Sequence, residues 1–144
     1  MKTAAAKKPA RKAAGKNGAN GAAPHELVNK VQAGLRFSEL EDLRRSLGLP
    51  LDQLGAKLGI SRATLHRRKT SGRLAPDQSD KVLRFARLFQ QAKHVFGDDE
   101  SARVWLNFPQ WSLGDAVPLD YARSEVGARE VENLLGAIEY GVYT

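Results

Sequence analysis

Cysteine is absent from the 144 residues, so disulfides and thiolate metal sites are excluded and packing alone must hold the fold. The absence fits a reducing compartment. No apolar run approaches the roughly 20 residues that would span a bilayer, and the N-terminal stretch shows no apolar h-region followed by a cleavage site. A transit peptide is the weaker alternative, because that stretch is lysine-rich and offers no large apolar face. The expectation is a cytoplasmic protein with no membrane partner. Sustained strand alternation is also missing, and the β-branched residues are scattered, so the expected fold class is all-α. His25, His66 and His94 lie far apart, and no pair has metal-ligand spacing. No phosphate loop, nucleophile elbow or catalytic carboxylate pair stands out. No catalytic residue, metal or cofactor is assigned, and the chain is not expected to be an enzyme.

What the sequence does have is charge, unevenly spread. Residues 1–23 hold six Lys and Arg and no acid, residues 24–97 hold fourteen against seven, and residues 98–144 hold three against nine. A basic front suits a polyanion and an acidic back suits something else, which points to two binding tasks. The first stretch, rich in Ala, Lys, Gly and Asn, has no large hydrophobe after Met1 and cannot offset its ordering entropy by burial. It reads as a disordered basic tail, either a plain solvated extension or an arm that tracks phosphates.

From Pro24 the pattern turns helical. Leu27, Val28, Val31 and Leu35 recur at three- and four-residue intervals behind a proline tolerated in a first turn. Ser38 stands three residues ahead of Glu41 as a capping box, Leu40, Leu43 and Leu47 follow, and Gly48 stops the run. A long helix carries Val82, Phe85, Ala86, Phe89, Ala92 and Phe96 on one stripe, with Gly97 as terminator. Beyond it, a short helix opens with acids at its N-terminal end. An irregular stretch with two prolines follows, then a last helix with Val131, Leu134, Leu135 and Ile138 on one face. The expected organisation is the tail over 1–23, a DNA-binding and dimerisation region over 24–97, and a small helical domain over 98–144.

The stretch from Leu51 to Arg68 carries the clearest pattern. Two short helices crossing steeply need small residues at the crossing, a glycine where the turn takes a positive φ, and hydrophobes that lock the corner. Gly55 and Ala56 suit the crossing, Gly59 the turn, and Leu54, Leu58, Ile60 and Leu65 the lock, while Ser61 caps the second helix. With Leu65 inward, a rotation of about 100° per residue turns Ala63, His66, Arg67 and Thr70 outward. Residues 61–73 hold five Lys and Arg and no acid. Arg67 and Arg62 suit guanine edges in a major groove, and Arg68, Lys69 and Arg73 suit phosphates. The candidate DNA-contacting set is Ser61, Arg62, Ala63, Thr64, His66, Arg67, Arg68, Lys69, Thr70 and Arg73. A reader of this kind works as a two-fold dimer on a pseudo-palindrome, so a homodimer is expected.

The C-terminal string contains Trp105, Leu106 and Pro109, then Leu113-Gly114, Pro118-Leu119-Asp120, and Gly127-Ala128 followed by Val131, Leu134, Leu135, Ile138 and Gly141. It resembles the toxin-binding domain of the Xre/MbcA/ParS antitoxin family, whose members carry an Xre-like helix-turn-helix domain before it. The resemblance implies an antitoxin that pairs with a RES-domain toxin, an enzyme consuming NAD⁺, and that represses its own operon through operator DNA. Within this frame, Tyr140, Val142 and Tyr143 are suitable partner anchors, and Glu139 with the Thr144 carboxylate adds negative charge. The candidate toxin-contacting set is Glu139, Tyr140, Gly141, Val142, Tyr143 and Thr144, offered to an electropositive nucleotide pocket. The boundary between core and plug is expected near Gly141; an alternative has Tyr140 closing the core, with only the final few residues free. Phe108 and Trp111 depart from the family pattern and suit either core or partner surface. The other function classes left open are a stand-alone helix-turn-helix repressor, a partition-type DNA-binding protein and a structural helical adaptor.

Overall fold

The computed structural model describes residues 23–141. The tail expected over 1–23 thus lies outside the described residues except for Ala23, and so do Val142, Tyr143 and Thr144. Eight α-helices are described: α1 Pro24–Ala33, α2 Phe37–Leu47, α3 Leu51–Leu58, α4 Arg62–Ser71, α5 Pro76–Phe96, α6 Asp99–Asn107, α7 Pro118–Tyr121 and α8 Glu125–Glu139. A 3₁₀ turn, Trp111–Leu113, lies between α6 and α7. Two isolated bridges, Arg36 with Arg73 and Gln110 with Ala116, are the extended pairings among the described residues. The all-α expectation holds.

The centre is α5, 21 residues and about 30 Å long, with α1, α2, α6 and α8 packed against it. Its expected stripe is buried at Val82, Phe85, Phe89 and Ala92, and Leu88 joins them. Pro76 opens the helix without forfeiting a hydrogen bond, and Gly97 closes it in the left-handed region. Helix α8 runs alongside in the same direction: Arg84 meets Glu125, Arg87 meets Glu132, and His94 meets Glu139. The hydrophobic core is continuous, from Leu40, Leu47 and Leu54 through Leu88 to Leu106, Leu119 and Leu135.

Two local expectations need correcting. Ser38 is not the cap of α2; the helix starts at Phe37 with Arg36 before it and no side-chain cap. A long-range pairing sets that start, because the Phe37 N–H donates to the Gly72 carbonyl at 2.8 Å and the Leu74 N–H to Leu35 at 2.9 Å. Leu35 is buried but lies beyond α1, which ends at Ala33 and is followed by Gly34 at φ 91°. A Cβ at Gly34 would stand 2.2 Å from the Leu74 carbonyl oxygen, so only glycine lets the two segments pair. No residue of α1 itself is fully buried.

Two glycines of α8 make a direct test. A Cβ on Gly127 would come within 1.7 Å of the Tyr121 carbonyl oxygen, whereas one on Gly136 meets nothing within 4 Å. Gly127→Ala is therefore expected to destabilise by about 1–3 kcal/mol, and Gly136→Ala to stabilise by roughly 0.5–1 kcal/mol through helix propensity. Urea denaturation of the two variants checks the opposite signs.

Candidate functional site

The turn between α3 and α4 is built by Gly59, left-handed at φ 77°, and the Ile60 N–H returns to the Gly55 carbonyl at 2.8 Å. Leu54, Leu58, Ile60 and Leu65 are all buried, as the expected lock requires. Gly55 is the crossing point, since a Cβ there would approach Leu65 Cδ1 to 2.5 Å. Ala56 is exposed and takes no part in the crossing, because one helical step turns it away from α4. Ser61 is the cap of α4, its hydroxyl oxygen accepting from the Thr64 N–H at 3.2 Å.

Leu65 is the one fully buried residue of α4, so the helix presents most of its circumference to solvent. Ser61, Arg62, Ala63, His66, Arg67, Lys69, Thr70 and Arg73 are exposed, and Thr64 and Arg68 are half-buried. They are not equally free. Arg62 lies 3.0 Å from Asp52 of α3, and Arg73 donates to the Gly34 carbonyl at 2.7 Å, which fastens the end of α4 to α1. Thr70 donates to the His66 carbonyl at 3.1 Å. Among the described residues, Arg67 reaches only Thr64 of its own helix, at 3.4 Å, and so it is a long cation on the outward face.

At the other pole, Asp98 caps α6, its carboxylate accepting from the Ser101 N–H at 2.7 Å and the Ser101 hydroxyl at 3.2 Å. These bonds, the backbone one foremost, hold the Asp98 carboxyl below its ordinary value of 3.8. Glu139 lies 2.8 Å from His94 Nε2. Ile138 is half-buried, and Tyr140 is 79 % exposed, followed by Gly141 at φ 76°. Packing therefore stops at Ile138, ahead of the boundary expected near Gly141, and Glu139 is held against α5 only at its edge, by His94. The structure rejects the alternative in which Tyr140 closes the core. Phe108 and Trp111 are 58 % and 63 % exposed, which removes them from the core as well.

Residues 26–87 match the family model for the Antitoxin Xre-like helix-turn-helix domain, and residues 91–141 match that for the Antitoxin Xre/MbcA/ParS C-terminal toxin-binding domain. An antitoxin Xre from Yersinia enterocolitica is 30% identical over 120 residues, covering 82% of this chain and 81% of that one. The chain belongs to the Xre antitoxin family. A second antitoxin Xre, from Photorhabdus laumondii, is 30% identical over 120 residues, covering 83% of this chain and 74% of its own. One from Pseudomonas putida is 31% identical over 68 residues, 47% of this chain and 43% of that one.

The toxin-binding match begins within the last two turns of α5, so this Xre-family antitoxin uses one helix in both of its modules. Sequence reasoning missed two features of the site. Lys57 of α3 pairs with Asp120 of α7 at 2.6 Å, tying the two modules together across 63 positions. Val104 is exposed one turn before Phe108, a neighbour that four-residue spacing on a helix could have revealed. Among the described residues, no group of three or more His, Asp or Glu is placed to hold a metal ion, and no helix is long and apolar enough to cross a membrane.

The depressed Asp98 value fixes a sign. Its contribution is fully present above the unfolded value near 3.8 and is lost as pH falls through the lower folded value. Asp98→Ala is expected to lower Tm at pH 7, and the gap from the parent to close as the pH is taken down past 3.8. Thermal melts across that range check it; a gap that widens at low pH would contradict the assignment.

Proposed function

We propose that this protein is the antitoxin of a type II toxin-antitoxin pair, acting in the cytoplasm by binding and not by catalysis. Its toxin is an NAD⁺-consuming RES-domain enzyme, in keeping with the resemblance of the C-terminal motif. Residues 24–97 form the DNA-binding and dimerisation region through which it represses its own operon, and residues 98–144 form the toxin-binding domain. The observation that carries the reading is Tyr140, exposed at the end of a well-packed helix inside a segment that matches a toxin-binding domain. A pocket that binds nucleotide phosphates is electropositive, and the segment from Glu139 to Thr144 brings an aromatic ring on an acidic module to it. On the DNA side, α4 enters the major groove with Arg67 at a guanine edge, while Lys69 and Arg68 hold phosphates. Two copies related by a two-fold axis read the two half-sites.

Each interface has its own variant. Deleting Tyr140 to Thr144 is expected to abolish protection of cells from the co-encoded toxin while leaving operator binding unchanged; a truncated chain that still protects rules out plugging. Arg67→Glu is expected to weaken operator binding by at least about 1–3 kcal/mol per half-site and to flatten its salt dependence. Retention of both affinity and salt slope would remove α4 as the DNA surface.

A further inference from the structure

Between α6 and α7, over residues 108–117, no side chain is fully buried and the chain is held by a dense set of hydrogen bonds. Gln110 is the hub. Its N–H donates to the Ala116 carbonyl at 3.0 Å, and its carbonyl accepts from the N–H groups of Leu113 at 2.9 Å and Asp115 at 3.0 Å. Its side-chain amide donates to the carbonyls of Trp105 at 3.1 Å and Phe108 at 3.2 Å. Asp115 takes φ 68°, the one non-glycine among the described residues in the left-handed region, a conformation that persists only where the surroundings over-determine it. At the base, Asn107 donates to the Leu47 carbonyl at 3.1 Å and Arg103 to that of Ser46 at 3.0 Å, which fixes the loop against α2.

On this frame stand two large, mostly exposed aromatic side chains, Phe108 and Trp111, with exposed Val104 four residues before Phe108. Beside Phe108 and Val104 an open groove of about 370 Å³ runs to Leu49 and Gln53. Aromatic rings presented on a pre-ordered backbone have the character of binding hot spots, because the ordering cost is met before the partner arrives.

We propose that the Phe108–Trp111 loop is a second docking surface for the toxin, the grip that holds it while the segment from Tyr140 onward blocks it. The inference rests on the toxin reading above. Three observations select this occupant. The loop lies inside residues 91–141, the region that matches a toxin-binding domain, and is continuous with the helices that carry Tyr140. Residues 98–144 hold three Lys and Arg against nine Asp and Glu, which disfavours DNA and favours a basic partner. A second copy is disfavoured by the same charge, because a two-fold contact would set this acidic segment against itself. The matching toxin surface is an apolar socket with basic residues at its rim.

The test compares full-length parent, the double variant Phe108→Ala with Trp111→Ala, the conservative pair Phe108→Tyr with Trp111→Phe, and the chain lacking Tyr140 to Thr144. The probe is the purified, catalytically inactivated product of the adjacent toxin gene, and operator affinity of each variant reports its fold. The alanine pair is expected to lose toxin affinity by about 50-fold or more at unchanged operator affinity, the ring-keeping pair to bind within about fivefold of the parent, and the truncated chain to keep binding while losing inhibition. An alanine pair that binds the toxin like the parent overturns the proposal and leaves the toxin reading intact. Loss of self-association at unchanged toxin affinity overturns it in favour of a second copy. A parent chain that does not bind the toxin overturns the toxin reading and this inference with it.

Discussion

Phe85 and Leu88 of α5 are almost wholly enclosed, and the helices that enclose them come from both ends of the sequence. Neither module can bury that helix alone. The constraint makes the two proposed binding tasks mechanically continuous, because helix α4 and the aromatic loop are both mounted on elements packed against the same 21-residue rod. Close-packed interiors transmit displacement instead of absorbing it, so a partner that shifts α6 or α8 acts on a core that α2 and α3 share.

Polar groups reinforce the junction. Arg84 on α5, 9% exposed, donates to the Arg123 carbonyl at 3.0 Å and lies 3.3 Å from both Asp80 and Glu125. Its Nε meets Glu125 as an ion pair without hydrogen-bond alignment. A guanidinium at such a depth is costly to leave unmatched, so the start of α8 is held where Arg84 needs it. Lys57 and Asp120 repeat the tie nearer the surface. Solvent weakens this second pair, and its value lies in registering α3 against α7 more than in stability. The surface, in contrast, is divided: cations gather on α4, and acids on the modules that follow α5.

How far the sequence could be read follows from the range of the forces involved. The long helix, the α3–α4 corner and the closing glycines Gly48, Gly59 and Gly97 were legible, because apolar periodicity and left-handed caps are local signals. The outward aspect of His66 and Arg67 followed from placing Leu65 inward. Ser38 misled as a cap because α2 begins where a pairing with residues 72–74 puts it, and no window of neighbours contains that information. Arg84 was hidden for a similar reason: a charge within an apolar stripe reads as solvated until partners 39 and 41 residues away are in place. Phe108 and Trp111 were ambiguous because aromatic rings serve cores and interfaces alike, and only the Gln110-centred frame shows which side of the backbone they take.

What unites these features is one core under two differently charged surfaces, and the proposed division of labour sets DNA on the basic face of α4 and the toxin on the acidic module beyond α5. Hydrogen exchange measured on the full chain alone, with DNA from upstream of its operon, and with the co-encoded toxin tests this most directly. DNA is expected to slow exchange in residues 61–73 and leave residues 108–141 as they are, and the toxin to do the reverse. Protection of 61–73 by the toxin and of 108–141 by DNA, or of one shared surface by both, would contradict the account.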